Sequence, residues 1–245
     1  MNYKYIGDDN FEDFASGRVF YHKPGMPNFP VRLAGEIFGR CLSYTDKKQI
    51  TLYDPCCGSS YMLAVLGLLN IKTIKKIVAS DISEDAIEVS KGNLALLTED
   101  GLRIREKQIQ QMMEEYQKPS HYEALESVHK FIDLVKSRDH NINIDTFVAD
   151  ILAPDVLKNK SFKADIVITD VPYGNLANWS DQDTDASNRL LDNLVPILSE
   201  DSVVAVITDK SQKCSNEKYK RLEKFKVGKR QISILRLHTF TQENE

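Results

Sequence analysis

Residues 50–69, ITLYDPCCGSSYMLAVLGLL, form the segment that decides the fold. Ile50–Tyr53 is a short run of mainly β-branched, apolar and aromatic residues, which predicts a buried strand. Asp54–Ser59 contains the proline and glycine of a tight turn, and Ser60–Leu69 is apolar enough to be a helix buried on every side. A strand, a turn and a buried helix in this order predict one crossover unit of a parallel sheet.

The same alternation continues along the chain. Five further apolar runs predict strands, and Ser83–Leu97 predicts the next helix. Connections of this kind are right-handed and cover both faces of a parallel sheet. The predicted fold class is therefore α/β, with a doubly wound Rossmann-like sheet. The later strands are predicted at Lys76–Ser80, Thr146–Ala149, Asp165–Thr169, Val203–Thr208 and Ile232–Leu237.

Two segments exceed this minimal pattern. In the N-terminal extension, residues 17–48, three prolines break regular structure before an amphipathic helix at Val31–Leu42. Residues 102–141 predict a helical insertion, two helices interrupted at residues 118–120, where an ordinary crossover needs one. With 245 residues and 42% hydrophobic content, we expect one domain spanning residues 1–245.

Composition also restricts the cellular setting. No window approaches the roughly 18–20 apolar residues that span a bilayer, and the first residues do not resemble a signal peptide. We therefore expect a cytoplasmic protein without a membrane partner, and a monomer, because no long apolar seam is left once the sheet is covered. The cysteines include no CxxC pair and the five histidines are scattered, so we expect reduced thiols and no metal. The cysteines are Cys41, Cys56, Cys57 and Cys214.

The charge is unevenly distributed. The net charge of −4 argues against a protein that coats nucleic acid nonspecifically. Residues 208–236, however, contain ten Lys or Arg and three Asp or Glu, a local charge of +7. A solvated surface helix is the favoured interpretation of this run, and a phosphate-binding face is the alternative.

Acidic residues follow four of the predicted strands: Asp54, Asp81, Asp150 and Asp170. One such aspartate is usually a turn residue or helix cap, but ligands bind at the carboxyl ends of the strands in this fold, and four acids there indicate a site. Gly58 allows close backbone approach to a ligand at the start of a helix. A single glycine does not favour a dinucleotide, whereas Asp81 is placed to bind ribose hydroxyls, so the loop predicts an adenosine-bearing ligand without a diphosphate.

These residues carry a family resemblance. DPCCGSS resembles the D-P-x-C-G-S-G loop of class I S-adenosylmethionine-dependent methyltransferases, and DVPY, residues 170–173, resembles the (D/N)-P-P-Y motif of those that methylate amino groups on bases. The resemblance implies a methyltransferase sheet that binds S-adenosylmethionine. Ser60 departs from the pattern, which has glycine there. The residues implied in cofactor binding are Asp54, Cys56, Cys57, Gly58, Ser59, Asp81, Ile82, Asp150, Ile151 and Asp170.

Within that class, the chain looks like the avilamycin-resistance rRNA methyltransferases of the AviRa type. The similarity includes ASGRVFYHKPGMPNFPVRLAGEIFGR, DPCCGSSYMLAVLGLL, NLALLT, TDVPYG and LEKFKVGKR, which together span nearly the whole chain. It implies methylation of a guanine in large-subunit (23S) ribosomal RNA, with antibiotic resistance as a consequence.

TDVPYG, residues 169–174, supplies the predicted catalytic residues. Asp170 and the carbonyl near Val171 would accept the hydrogens of a base amine and direct its lone pair, while Pro172 fixes the turn. Tyr173 would offer a face on which the flipped base stacks. Because the cysteines of the DPCCGSS loop lie at the cofactor, thiolate attack on the base is rejected.

Basic residues before the first strand and late in the chain predict phosphate contacts. The residues predicted to bind RNA are Arg18, Lys23, Arg32, Lys210, Lys213 and Arg230. The sequence leaves open adenine N6, or an amine of a protein or small molecule, as the methyl acceptor, and a noncatalytic RNA-binding protein with the same fold. It also leaves open N1 or N2 of guanine and the identity of the nucleotide.

Overall fold

A computed structural model describes residues 3–171, 184–212 and 214–238. Its central feature is a seven-stranded sheet in the order β3-β2-β1-β4-β5-β7-β6. The first five strands pair in parallel, while β7 is antiparallel to both β5 and β6. The strands are β1 Ile50–Asp54, β2 Ile74–Asp81, β3 Asn143–Val148, β4 Ala164–Asp170, β5 Leu198–Asp209, β6 Tyr219–Val227 and β7 Arg230–Leu237.

Helices cover both faces of this sheet. On β4, Ile166 and Ile168 belong to one apolar cluster and Val167 to the other, as expected when side chains alternate between the two faces of a strand. The doubly wound α/β fold predicted from the sequence is confirmed. The helices are α1 Glu12–Ala15, α2 Val31–Leu42, α3 Tyr61–Leu69, α4 Glu84–Ala95, α5 Glu99–Tyr116, α6 Pro119–Lys136 and α7 Thr184–Leu194, followed by a 3-10 turn at Val195–Ile197.

Local sequence explains where several helices begin. The α2 helix lies at the residues predicted for it, directly after Pro30, which is extended (φ −60°, ψ 122°). In α4, the Ser83 hydroxyl accepts a hydrogen bond from the Ala86 amide at 3.2 Å and caps the first turn. The helical insertion predicted at residues 102–141 is the α5–α6 pair. Its break lies at residues 117–118, slightly before the predicted residues 118–120, and Pro119 begins the first turn of α6.

The N-terminal strap, residues 11–29, crosses the start of α3 and the insertion. The Tyr61 hydroxyl at the start of α3 donates to the Phe14 carbonyl at 2.7 Å. Arg105 of α5 donates to the Val19 carbonyl, also at 2.7 Å. These bonds fix the strap against α5 and against α3, the helix that follows β1.

The basic run late in the chain is a β-hairpin, and its interpretation as a surface helix is wrong. Strands β6 and β7 form the basic hairpin, in which β6 is the edge strand of the sheet. A register shift between Arg221 and Glu223 interrupts the two-residue alternation of β6, which obscured the strand pattern. Lysines on an edge strand also discourage pairing with other chains, so the charges suit a strand as well as a helix.

None of the helices in the described part of the chain is both long enough and apolar enough to cross a membrane.

Candidate active site

The predicted acids lie at the carboxyl edge of the sheet, where the strand order reverses between β1 and β4. Asp54 ends β1 and Asp170 ends β4. The Asp54 side chain is buried, and its Oδ1 accepts a hydrogen bond from the Cys56 amide at 3.0 Å. Burial raises the pKa of Asp54 to about 8, and the nearby Asp81 and Asp170 carboxylates add to this increase. Asp54 is therefore mostly protonated at neutral pH.

Loop 54–60 joins β1 to α3 through two left-handed residues. Gly58 has φ +51°, and a Cβ placed on it would meet no atom within 4 Å, so open space lies above this residue. Its amide donates to Asp81 Oδ2 at 2.9 Å. Ser60, where the methyltransferase pattern has glycine, has φ +57° and is fully buried. Its hydroxyl lies 2.6 Å from that of Ser90 in α4.

The acids at the end of β2 and just after β3 also hold backbone turns. Asp81 Oδ1 accepts from the Ser83 amide at 3.0 Å, and Asp150 Oδ1 accepts from the Leu152 amide at 2.9 Å. Each carboxylate oxygen has a second lone pair, so these bonds leave capacity for a ligand. Ile82 is 67% exposed at this edge, whereas the Ile151 side chain is packed in the core. A contact of Ile151 with a ligand would therefore be through its backbone.

Asp170 has an oxygen without a donor. Its side chain is 24% exposed, and its Oδ2 lies 3.7 Å from Nε of Arg230, at the start of β7. No described residue donates a hydrogen bond to Oδ1. Burial raises the pKa of Asp170 to about 6, against the opposing effect of the Arg230 guanidinium. The predicted catalytic partners Pro172 and Tyr173 lie outside the described residues.

The surroundings of the two cysteines of loop 54–60 indicate a structural role for both. Burial raises the pKa of both Cys56 and Cys57, and the Asp54 carboxylate raises them further. Cys57 Sγ contacts the Gly58 carbonyl at 3.5 Å and the Ser90 hydroxyl at 3.9 Å. Thiols in this state are poor nucleophiles, which agrees with the rejection of thiolate attack.

The structure connects loop 54–60 to the strap through a residue that sequence reasoning missed. The buried Asn93 side chain of α4 donates to the Ser59 carbonyl at 2.9 Å and to the Tyr21 carbonyl at 3.0 Å. Its oxygen accepts from the Tyr21 amide at 2.7 Å. Asn93 begins the NLALLT segment of the family resemblance, and this was the signal available in the sequence.

Three of the cations predicted to bind RNA are paired with acids. These pairs compensate the positive charges locally, so they weaken the argument for phosphate contacts there. They are Arg18 with Glu12 and Glu123, Lys23 with Asp85, and Arg32 with Asp8. Of the later three, Lys210 is exposed, Lys213 is outside the described residues, and Arg230 points to Asp170.

The basic hairpin and the residue after β5 present an unpaired positive surface instead. Six exposed cations there form no ion pair with any residue that the structure describes. The Lys210 amide bonds the Lys229 carbonyl at 2.9 Å, which places the turn of the hairpin beside the carboxyl end of β5. The six are Lys210, Lys220, Arg221, Lys224, Lys226 and Lys229.

Comparison with known proteins agrees with this architecture. A relative from Streptomyces viridochromogenes, the 23S rRNA (guanine(2535)-N(1))-methyltransferase, is 36% identical over 228 residues, covering 91% of each chain. Two solved structures of the rRNA methyltransferase AviRa from that organism match with TM-scores of 0.85 and 0.84, at 34% and 32% identity and 96% coverage of both chains. TrmN from Thermus thermophilus shares the fold alone, with a TM-score of 0.55 and 10% identity over 93% of this chain and 53% of that one.

The resemblance found in the sequence is confirmed by a family model. The model described as rRNA methyltransferase AviRa matches residues 1–230, which include loop 54–60, Asp170 and the basic hairpin up to the first residue of β7. The chain therefore belongs to the AviRa family of rRNA methyltransferases.

Proposed function

We propose that the chain transfers a methyl group from S-adenosylmethionine to N1 of a guanine in 23S rRNA. The observation that carries the proposal is Asp170, a largely buried carboxylate at the switch point of a methyltransferase sheet with one oxygen left without a donor among the described residues. The choice of N1 is supported by the Streptomyces viridochromogenes relative, which is named for that position.

The residues around loop 54–60 fit the proposed cofactor. Open space lies above Gly58, where the left-handed backbone lets a ligand approach closely. Asp81 retains lone pairs for ribose hydroxyls, and the exposed Ile82 beside it offers an apolar surface for an adenine ring. When bound, S-adenosylmethionine supplies an electrophilic methyl group on a sulfonium. Asp54 supports the loop by accepting the Cys56 amide beneath it.

Asp170 supplies the proton acceptor for this transfer. Guanine N1 carries a hydrogen, and its electron pair becomes available to a methyl donor only as that hydrogen leaves. With a pKa of about 6, Asp170 is ionised at neutral pH and is a stronger base than an exposed aspartate. The Asp170 carboxylate would take the N1 hydrogen as N1 becomes bonded to carbon, and the resulting carboxylic acid would then lose this proton to water. An exocyclic amine would use two acceptors, Asp170 and the carbonyl near Val171.

The basic hairpin is the proposed phosphate-binding surface. Its turn lies at the same edge of the sheet as Asp170, because β6 is parallel to β4 and ends at Val227. The unpaired cations there can release counterions from an RNA backbone, which supplies affinity without reading sequence. The base itself would be selected at Asp170 and, as predicted from the sequence, by stacking on Tyr173.

A ribosomal RNA substrate is consistent with the cytoplasmic location predicted from the sequence. Resistance to avilamycin-type antibiotics is the expected consequence of the modification, and residues 1–245 are proposed to act as one domain.

The test is transfer of radiolabelled methyl from S-adenosylmethionine to large-subunit rRNA that lacks the modification, followed by digestion to nucleosides. We expect labelled 1-methylguanosine from the wild-type protein and none from Asp170→Asn. Asp209→Asn, at the end of the neighbouring strand β5, should retain activity and serves as the matched control. Label in N2-methylguanosine or N6-methyladenosine would overturn the N1 assignment. Absence of label in RNA with cofactor binding intact would overturn the RNA substrate and indicate a protein or small-molecule amine.

A further inference from the structure

Arg230 contacts both an aromatic ring and the proposed catalytic acid. The centre of its guanidinium is 5.1 Å from the centroid of the Phe29 ring. Its Nε also lies 3.7 Å from Asp170 Oδ2, and its side chain is 27% exposed. An arginine that stacks on an aromatic ring while facing a carboxylate has both its plane and its direction restricted.

Phe29, in the N-terminal extension, is itself held in place by its packing. The ring is 7% exposed and belongs to the larger apolar cluster of the core. Pro30 follows immediately and caps the N-terminus of α2, so the backbone beside the ring is restricted. A rigid ring beneath the guanidinium reduces the number of rotamers that Arg230 can adopt.

Arg230 lies close enough to Asp170 to orient its carboxylate, but it does not use the hydrogen-bonding capacity of both carboxylate oxygens. At 3.7 Å the Nε to Oδ2 distance exceeds that of a hydrogen bond, and neither Nε nor Asp170 Oδ1 has a hydrogen-bonding partner among the described residues. A bidentate arginine pair would use both carboxylate oxygens. Here the positive charge attracts Asp170 from one side and leaves an acceptor for the base.

We infer that Arg230, held by Phe29, is a positioning residue that orients the Asp170 carboxylate toward the target base, and is not a phosphate contact. The inference rests on the proposed function of Asp170. It replaces the sequence-based prediction that Arg230 binds RNA. A phosphate-binding arginine is expected to be exposed and unpaired, as Arg221 and Lys224 of the same hairpin are.

The pH dependence of the rate distinguishes these roles. Among the described residues, the charged group that acts on Asp170 is Arg230 of β7. The Asp54 carboxyl of β1 is also nearby and has its own pKa raised by the Asp170 charge. The Arg230 cation lowers the pKa of Asp170. Its removal therefore raises that pKa, and the acid side of the rate profile moves to higher pH.

The experiment measures single-turnover methyl transfer to 23S rRNA between pH 5.5 and 9 with cofactor and RNA saturating, alongside RNA affinity as a function of salt. For Arg230→Gln we expect a rate loss of about tenfold or more at neutral pH, an acid limb shifted to higher pH, and an unchanged salt slope. Arg230→Lys keeps the charge and should restore part of the rate and the position of the limb. Phe29→Leu, made in the protein that keeps Arg230, should lower the rate of methyl transfer without changing RNA affinity.

Lys226→Gln, on the same hairpin, is the matched control and should show the opposite pattern, weaker RNA binding with the acid limb in place. A weaker salt slope in Arg230→Gln, by about one, with an unshifted limb would overturn the inference and make Arg230 a phosphate contact. A rate loss that is uniform with pH and accompanied by a lower melting temperature would overturn it in favour of a structural brace. If wild-type protein transfers no methyl to rRNA, the proposed function itself has failed.

Discussion

Replacing Ser60 by glycine and by alanine separates the strain of a left-handed residue from the value of a buried hydrogen bond. Ser60 caps α3 with φ 57° and ψ 23°, is fully buried, and shares a 2.6 Å hydrogen bond with Ser90. Both substitutions remove this bond. Glycine also removes the Cβ that makes the left-handed region unfavourable, whereas alanine keeps it.

The expected magnitudes follow from these two effects. Loss of the hydrogen bond leaves the buried Ser90 hydroxyl with only the weak Cys57 contact at 3.9 Å and should cost about 1–3 kcal/mol in both variants. Glycine recovers about 1–2 kcal/mol of left-handed strain and loses about 0.5–1 kcal/mol to the greater entropy of its unfolded chain. Ser60→Gly should therefore be more stable than Ser60→Ala by about 0.5–1 kcal/mol, and both should be less stable than the wild type.

Urea unfolding followed by circular dichroism measures this difference. At about 2–4 °C per kcal/mol for a chain of this size, thermal melting should separate the two variants by roughly 1–4 °C. Ser90→Ala, which removes the same hydrogen bond without changing the backbone at residue 60, is the control. An alanine variant as stable as the glycine variant, or more so, would refute the assignment of strain to Ser60.

Three further predictions concern stability and RNA binding. Asn93→Ala leaves the buried Ser59 carbonyl and the half-buried Tyr21 carbonyl and amide without this partner, so the free energy of unfolding should fall by about 2–4 kcal/mol, measured by urea denaturation. Burial gives Asp54 a folded pKa of about 8, above its unfolded value, so its contribution to stability is lost as pH rises through 8. Asp54→Asn should therefore flatten the decline in the free energy of unfolding between pH 5 and 9. A decline as steep as that of the wild type would contradict this prediction. Reversing Lys224 and Lys226 to glutamate should weaken 23S rRNA binding and reduce its salt slope by about two or more in a filter-binding titration, whereas equal slopes would exclude these lysines from the interface.

The parallel half of the fold was predictable because local and tertiary requirements agree there. Strand β1 is buried along its whole length and α3 is apolar on nearly all sides, so composition alone identifies both. Strand β6 was missed because it is an edge strand. Its exposed side carries charges, and the register shift after Arg221 breaks the alternation that would have shown a strand.

The candidate site divides in the same way. Asp54, Asp81 and Asp170 could be placed together from the sequence because the carboxyl ends of parallel strands meet at one edge. The contacts of Phe29 and Asn93 could not be predicted, since each depends on how the strap packs against elements distant in sequence. The pairing of Arg18, Lys23 and Arg32 with acids was likewise invisible in a pattern of charges along the chain.

The way the N-terminal extension is held has a consequence for biosynthesis. Arg40 of α2 pairs with Glu223 of β6, 183 residues later, and Arg236 of β7 donates to the Tyr44 carbonyl across 192 residues. At translation rates of roughly 5–20 residues per second, these partners are synthesised about 10–40 s after the extension. Contacts between residues so far apart in the chain also carry a large loop-closure entropy, so they are expected to form late. The hairpin that carries Arg230 is translated after both Asp54 and Asp170, so an enzyme that modifies ribosomal RNA would complete its own active site only once the ribosome has made this hairpin.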